Sequence, residues 1–334
     1  MIQMRVAKHA FKTVRTLLSN STNFPQSWTK LLKKNFVFLI ATEIKMIFKT
    51  ILFGYSYFYA LTLPFYKKSF FFVIFMYIIV NMKNLSHKIR KDCRVMFRTI
   101  KWYFKFVFCL ILKTVDAKKA DKILKQKGEN AYNEYVYDIV SRWAMARVKD
   151  SGAEITVHGK QNIPKDKTVL FVSNHQSDFD IAIFLAMIPE KKEGFVAKVE
   201  LEKIPFLSAW MKRIHCIFLD RNDMKQSAKT ILEGIKLLKS GHSMVVFPEG
   251  TRSKCDEMGE FKAGSFKLAT KSKVPIVPVT IDGSYKILEG SKYRICPAKV
   301  NVYIHEPIET ENLSKQCESK LPEMVEKIIR EGKK

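Results

Sequence analysis

Residues 168–180 read TVLFVSNHQSDFD, an apolar run that passes without a break into a strongly polar turn. The first six residues are rich in β-branched and aromatic side chains, which is typical of a buried strand. The next seven include a histidine, His175, and a carboxylate five positions further on, Asp180. The stretch therefore predicts a buried strand followed by a turn that can bring a histidine and a carboxylate together.

Six further apolar runs repeat this strand pattern between residues 154 and 305, and segments of helical period separate them. The predicted strands are 154–159, 168–173, 194–198, 216–220, 243–247, 275–281 and 299–305. The predicted helices are 179–188, 205–213, 224–240, 262–272 and 319–332. Strands that alternate with helices build a mostly parallel sheet whose faces are covered. The sequence therefore predicts an α/β fold with a mostly parallel central sheet covered by helices.

The first 95 residues differ from the rest of the chain in charge and composition. Residues 1–95 contain 16 Lys and Arg but only two acids, together with two long apolar runs, 46–66 and 70–82. Two interpretations remain open for this extension. It is either a membrane anchor in which the two runs form a hairpin, or an over-extended gene start ahead of Met96. A native chain that begins near Met96 would decide for the second interpretation.

Residues 96–150 predict a helical segment that associates with a membrane. Trp102, Tyr103 and Phe104 lie beside a short apolar stretch with basic residues around it, which suits the headgroup region of a bilayer. The alternative is a helix that packs on its own domain. Residues 151–334 then contain the predicted α/β domain.

The formal net charge of +26 restricts the classes of partner. A surplus of this size favours an anionic partner, such as nucleic acid, an anionic membrane surface or a phosphorylated substrate. Six cysteines occur without any C-x-x-C pair, so we predict neither a disulfide framework nor a metal site, and a reducing compartment fits better. The histidines outside the opening stretch have no evident partner and are predicted to be structural: His9, His87, His158, His215, His242 and His305.

Four of the predicted strands lead directly into charged or titratable residues. The residues at these strand ends are His175, Lys198, Arg221 and the segment PEGTRS (248–253). If the strands are parallel, all four clusters meet at the carboxyl edge of the sheet, where open α/β sheets bind their ligands. The sequence therefore predicts a functional site at this edge.

His175 is the residue at this edge that suits general-base work near neutral pH. Asp180 can hold one ring nitrogen and so leave the other free to accept a proton. The sequence contains no G-x-S-x-G nucleophile elbow, no Walker loop and no two-carboxylate metal motif. The base would therefore activate a hydroxyl group of a substrate. The structural alternative is a surface hydrogen bond between the two side chains.

The cations at the same edge suit a phosphate group. Lys198, Arg221 and Arg252 supply positive charge, and arginine binds phosphate through two parallel hydrogen bonds. Glu249 and Thr251 can accept or donate hydrogen bonds within the same pocket. A base beside a phosphate clamp, without an enzyme nucleophile, indicates direct transfer of a group to a phosphorylated alcohol. Taken alone, the PEGTR segment is more typical of a turn with a salt bridge, and Lys198 and Arg221 are more typical of solvated surface charges.

Four ordered blocks make the chain resemble the lysophosphatidic acid acyltransferases, the 1-acyl-glycerol-3-phosphate acyltransferase family. The blocks are N-H-x4-D at 174–180, F-x-x-R at 218–221, FPEGTRS at 247–253 and VPIVPV at 274–279. Their order and spacing make the resemblance specific, and it extends over most of the chain after Met96. One departure is His215, at a position where the second block often has glycine.

The resemblance implies an α/β fold of the glycerolipid acyltransferase type, preceded by a membrane-associating helical segment. It also implies that His175, assisted by Asp180, is the general base for the sn-2 hydroxyl of the acceptor, which attacks an acyl thioester. The substrate-binding residues that it implies are Lys198, Phe218, Arg221, Glu249, Gly250, Thr251 and Arg252. The resemblance implies no bound cofactor and no metal, because acyl carrier protein or coenzyme A carries the acyl group as a co-substrate.

The expected function is synthesis of phosphatidic acid in phospholipid biosynthesis, at the cytoplasmic face of the cell membrane. The expected partners are lysophosphatidic acid, an acyl carrier protein or coenzyme A thioester, and an anionic membrane surface, with no nucleic acid. Another lysophospholipid or a lyso-aminolipid is the alternative acceptor. An alternative of another class is a non-catalytic basic protein that binds a membrane or nucleic acid. The pairing of His175 with Asp180 argues against that alternative, because a pure binder needs no base.

Overall fold

The structure of the protein is a computed structural model that describes residues 87–333. Both long apolar runs of the N-terminal extension, with their predicted membrane hairpin, lie outside the described residues. The described residues all belong to one compact unit. No helix within 87–333 combines the length and the apolar character that crossing a membrane requires.

Seven strands form one sheet in the order β1-β7-β6-β2-β5-β3-β4. The strands are β1 Glu154–His158, β2 Leu170–Ser173, β3 Gly194–Lys198, β4 Ile217–Leu219, β5 Met244–Val246, β6 Ile276–Asp282 and β7 Lys299–Ile304. All pairs are parallel except β6 with β7, which run antiparallel. The prediction of a mostly parallel central sheet is therefore confirmed, and each predicted strand is present, most of them shorter by one or two residues.

Between residues 87 and 333, two long helices precede the sheet, and five shorter ones connect or follow its strands. They are α1 His87–Leu112, α2 Thr114–Ser151, α3 Phe179–Met187, α4 Leu207–Arg213, α5 Met224–Lys239, α6 Lys267–Ser272 and α7 Lys315–Glu331. Helix α5 begins where Asp223 accepts hydrogen bonds from the backbone N–H groups of Lys225 and Gln226, the expected N-cap. Short 3₁₀ turns fill several of the remaining connections.

The sheet lies between two layers of helices, and β2 shows how its central strands are buried on both faces. Phe171 belongs to the apolar cluster that includes Val140 of α2 and Phe184 of α3. Leu170 and Val172, on the opposite face of the strand, belong to the cluster formed with α5, α6 and α7. Because helices cover both faces, the strand is continuously apolar instead of alternating with polar residues. This burial fixes the position of the polar turn that follows.

Helix α1 packs on the α/β domain through one face and exposes the other. Trp102 is only 8% exposed, its Nε1 donates a hydrogen bond to the Arg147 carbonyl at 2.9 Å, and its ring contacts Phe179 at the start of α3. The expectation that Trp102 lies at a lipid headgroup is therefore wrong, because this side of the helix is part of the domain core. Phe104 and Phe108, by contrast, are 66% and 50% exposed.

Candidate active site

The polar turn after β2 is anchored to the neighbouring strand β6 by Asn174. Its side-chain Nδ2 donates to the Ile281 carbonyl at 2.8 Å, and the Ile281 N–H donates back to Asn174 Oδ1 at 2.8 Å. This pair of hydrogen bonds continues the sheet pairing through a buried side chain. The residue that follows, His175, is therefore held at a fixed place on the carboxyl edge.

His175 and Asp180 are in direct contact, as the sequence predicts. Asp180 Oδ2 lies 2.8 Å from His175 Nδ1 and also accepts the backbone N–H groups of Gln176 at 2.8 Å and Ser177 at 2.9 Å. Asp180 is fully buried. Because an ionised carboxylate only accepts hydrogen bonds, this geometry assigns the proton to Nδ1 of the imidazole. Nε2 then keeps its lone pair for a proton from a substrate.

Three further contacts fix the position of His175. Its ring stacks on Phe247 with centroids 4.1 Å apart and an angle of 17° between the rings. Its backbone N–H donates to Glu249 Oε1 at 2.6 Å, and its carbonyl accepts the Ser253 N–H at 2.8 Å. The loop after β2 and the loop after β5 are thus joined directly. Orientation of this kind lowers the entropic cost of reaching a reactive geometry.

The Glu249 carboxylate connects the loop after β2 with the loop after β5 and is not free within the site. Both of its carboxylate oxygens are in use, Oε1 with His175 and Oε2 with the backbone N–H of Gly259 at 2.8 Å. Burial raises the pKa of Glu249 above its ordinary value, and the two backbone donors oppose that rise. The carboxylate therefore holds two backbone segments in place, and the implied substrate-binding role of Glu249 stays a prediction.

Two cations converge on Gly250. The Arg221 guanidinium donates a hydrogen bond to the Gly250 carbonyl. A Cβ atom at Gly250 would lie 3.2 Å from Arg221 Nη1 and 3.2 Å from Lys262 Nζ, and the backbone there has a φ of +75°. The left-handed backbone favours glycine here, whereas the two flexible side chains could move aside for a Cβ atom. Within the described residues neither cation forms a salt bridge, although Glu200 is close enough to interact with the charge of Arg221, so this turn presents two exposed positive charges.

Lys262 is a residue that the sequence analysis missed. Its backbone N–H donates to the Pro248 carbonyl at 3.1 Å, which folds the chain back onto the PEGTRS loop. Its position only a few residues after that loop is the one signal in the sequence, and it says nothing about where the side chain lies. Lys262 does not lie at a strand end, so the pattern of strand-end residues could not predict it.

Arg252 is already paired with two carboxylates, contrary to its expected role as an open phosphate ligand. Its Nη1 contacts Asp178, and it also donates to Glu289 Oε1 at 3.0 Å. The sequence favoured a phosphate ligand because only the cation was visible in the PEGTRS motif. The charge of Arg252 is offset in the fold, and the side chain connects two loops.

Glu289 is the second residue that the sequence analysis missed. Its carboxylate is 1% exposed and accepts three hydrogen bonds, from Ser177 Oγ at 2.5 Å, the Asp178 N–H at 2.9 Å and Arg252 Nη1 at 3.0 Å. It therefore holds the turn that carries His175 and Asp180 against the PEGTRS loop. No motif marks this residue, which lies between the predicted strands 275–281 and 299–305 and not at a strand end.

The other predicted site residues lie at the same edge without contacting His175 in the described part of the chain. Lys198 is exposed at the end of β3, opposite Leu219 of β4 in the strand register. Phe218 lies within β4, with the Lys212 ammonium 6.0 Å from its ring centroid. Thr251 is exposed in the turn after Gly250. Their common edge is consistent with a shared pocket, and their roles stay predictions.

This combination of fold and site defines the chain as an acyltransferase of the α/β class. The Acyltransferase family model matches residues 154–282, which include β1 to β6 and every site residue predicted from the sequence. A solved structure of the 1-acyl-sn-glycerophosphate acyltransferase PlsC from Thermotoga maritima is similar, with a TM-score of 0.64 and 28% identity. The similarity covers 72% of this chain and 95% of that one.

Two curated relatives identify the acyltransferase family of this chain more closely. A probable 1-acyl-sn-glycerol-3-phosphate acyltransferase of Mycoplasma pneumoniae is 36% identical over 200 residues, which is 58% of this chain and 72% of the relative. A chloroplastic 1-acyl-sn-glycerol-3-phosphate acyltransferase of Arabidopsis thaliana is 35% identical over 52% of this chain and 49% of its own length. The chain belongs to the 1-acyl-sn-glycerol-3-phosphate acyltransferase family, as the sequence blocks predict.

Proposed function

We propose that this chain transfers a fatty acyl group from an acyl thioester to the sn-2 hydroxyl of 1-acyl-glycerol-3-phosphate and so makes phosphatidic acid. The observation that carries this proposal is the contact of His175 with the fully buried carboxylate of Asp180, which leaves Nε2 available to a substrate. Family membership supplies the reaction class, since the relatives bear the name of this activity.

The proposed reaction needs no covalent enzyme intermediate. Nε2 of His175 removes the hydroxyl proton while the oxygen attacks the thioester carbonyl carbon, and the resulting imidazolium is stabilised by Asp180. The tetrahedral intermediate then collapses with cleavage of the carbon–sulfur bond. The leaving thiolate takes the proton from the imidazolium, so the neutral histidine is restored. The donor is an acyl carrier protein or coenzyme A thioester, and no resident cofactor takes part.

The acceptor phosphate is proposed to bind at the cation pocket formed by Arg221 and Lys262 around Gly250. His175 is joined to this pocket by a short path: its N–H contacts Glu249, the next residue is Gly250, and the Gly250 carbonyl accepts from Arg221. Guanidinium and ammonium groups that form no salt bridge in the described part of the chain favour a dianionic phosphate. Lys198 lies at the end of β3, which pairs with β4, and adds positive charge along the same edge of the sheet.

We further propose that the exposed face of α1 rests on an anionic membrane surface at the cytoplasmic side. Phe104, Phe108 and Leu112 are spaced by four residues and are 66%, 50% and 55% exposed, so they form one apolar stripe. Two basic residues on the same helix suit anionic headgroups: Arg98 and Lys101. The opposite face of α1 packs, through Trp102, beside Phe179 at the start of the helix that contains Asp180.

The test of this function is acyl transfer by the purified protein to a panel of acceptors, each with both thioester donors. Lysophosphatidic acid should be acylated faster than a lysophosphatidylcholine, a lyso-aminolipid or a phosphate-free monoacylglycerol. Preference for another lysolipid would assign that lipid as the acceptor and keep the reaction class. Absence of transfer to every acceptor, together with tight binding to anionic vesicles or nucleic acid, would support the non-catalytic alternative.

A further inference from the structure

A second cluster of titratable side chains lies at the amino edge of the sheet, away from the candidate active site. His215 precedes β4 by two residues, and His242 precedes β5 by two residues. Their ring centroids are 4.0 Å apart, although strand β3 lies between β4 and β5 in the sheet. Gly194, the first residue of β3, permits this approach, because a Cβ atom there would lie 2.5 Å from the His215 carbonyl oxygen.

A carboxylate from helix α2 completes the cluster. The helix is interrupted at Gly128, where φ is 81° and ψ is −177°, and Glu129 begins the segment that follows. Glu129 Oε1 lies 3.9 Å from His242 Nε2. One potential donor atom from each of Glu129, His215 and His242 lies within 4.8 Å of the others. Three separate elements therefore direct two imidazoles and one carboxylate to one point.

The backbone at His215 also needs an explanation. Its φ is +56°, in the left-handed region that a residue with a Cβ atom rarely adopts. Glycine would adopt this conformation without steric cost. A histidine there places its ring next to His242 and within 3.3 Å of Asn133 Oδ1, one turn beyond Glu129. The unfavourable backbone conformation at His215 thus brings a further potential metal ligand to this cluster.

We propose that Glu129, His215 and His242 bind one divalent transition metal ion, for which Zn²⁺ is the best chemical match. Two imidazole nitrogens and one carboxylate oxygen are a ligand set that Zn²⁺ accepts, with a fourth position left for water. Donors around tetrahedral Zn²⁺ are about 3.4 Å apart. Binding would need the donor atoms to approach each other by at most about 1.4 Å, and the Glu129 side chain, which is 67% exposed, has solvent space in which to move.

The location indicates a structural role for this ion. The catalytic residues follow the carboxyl ends of the parallel strands, whereas His215 and His242 precede the amino ends of two of them. A metal ion here would tie the second half of α2 to the sheet. That half of α2 also supports α1, because the Arg147 carbonyl accepts the hydrogen bond from Trp102. The ion would therefore stabilise the attachment of both long helices.

Zinc binding to the full chain, purified without a histidine tag and stripped of metal, tests this proposal. We expect one Zn²⁺ per chain by titration calorimetry. At a free concentration about 100 times the dissociation constant, the melting temperature should rise by about 5 °C or more. His215→Gly, which suits the left-handed backbone, and His242→Ala should each weaken binding at least about tenfold. His158→Ala is the matched control, because His158 stacks on Tyr303 in β7, outside the cluster, and should bind Zn²⁺ like the unmodified chain.

Two results would overturn the proposal. One is the absence of stoichiometric Zn²⁺ binding by the unmodified chain. The other is an equal Zn²⁺-induced rise in melting temperature in the unmodified chain and in His215→Gly, which would assign the effect to scattered surface residues. Because the readouts are binding and stability, neither result depends on the proposed acyl transfer.

Discussion

The substitution Asp180→Asn removes the charge of the buried Asp180 side chain and keeps its shape. In the protein, Asp180 Oδ2 accepts hydrogen bonds from His175 Nδ1 and from two backbone N–H groups. An amide oxygen can keep these contacts, but a hydrogen bond to an ionised group stabilises by about 1 kcal/mol more than a neutral one. Loss of the charge should therefore lower the free energy of unfolding by about 3 kcal/mol in total.

The fall in kcat of Asp180→Asn should be larger than the lost stability alone would cause. When His175 takes a proton in the Asp180→Asn variant, the imidazolium would lie beside a neutral amide, with no opposite charge in a fully buried position. We expect kcat to fall about 10²- to 10⁴-fold, which corresponds to about 3–5 kcal/mol of activation free energy. Thiol release at saturating acceptor and donor measures kcat, and urea unfolding measures stability.

Asp178→Asn is the matched control for this substitution. Asp178 lies on the same turn, but its side chain is 62% exposed and pairs with Arg252. Exposed ion pairs contribute at most about 1 kcal/mol, so kcat should change less than about fivefold. Retention of more than a tenth of kcat by folded Asp180→Asn would refute the reasoning, as would an equal loss in the control.

Four further substitutions test other parts of the site and the core. Glu289→Gln should lower kcat about tenfold and leave the KM for the thioester unchanged, because the carboxylate positions the catalytic turn without touching the donor; an unaltered kcat would exclude that role. Arg221→Ala and Lys262→Ala should each raise the KM for lysophosphatidic acid about tenfold or more, whereas the KM for a phosphate-free monoacylglycerol should not change. Burial raises the pKa of Glu193 well above its ordinary value, so its ionisation destabilises the fold as pH rises through that pKa. Glu193→Gln should therefore raise the melting temperature at about pH 8. At about pH 4 the substitution should lose this advantage, because the Glu193 carboxyl of the unmodified chain is protonated in the folded and in the unfolded state. An equal effect of the substitution at both pH values would contradict the linkage.

The architecture and the position of the base could be predicted because both depend on local patterns. The alternation of apolar runs and helical periods defined the sheet, and the continuous burial of β2 follows from its coverage on both faces. Asp180 was expected near His175 because only the four residues 176–179 separate them. Parallel strands then placed the remaining strand-end residues at one edge.

The contacts between loops could not be predicted, because they have no periodicity and join distant segments. Glu289 lies 112 residues along the chain from Ser177, and only the folded connection after β6 brings them together. The same connection neutralises Arg252, which in the sequence resembles an open cation. Trp102 was assigned to a membrane from its neighbours, although its indole N–H is satisfied inside the domain. Sequence patterns indicate which residues reach the edge, and tertiary packing decides what each one contacts.

His175→Ala tests the central claim most directly, with the acyl-transfer rate from a thioester to lysophosphatidic acid as the measurement. If His175 is the general base, kcat should fall about 100-fold or more while the melting temperature and the KM for the acceptor change little. A folded His175→Ala variant with a kcat close to that of the unmodified chain would contradict the account.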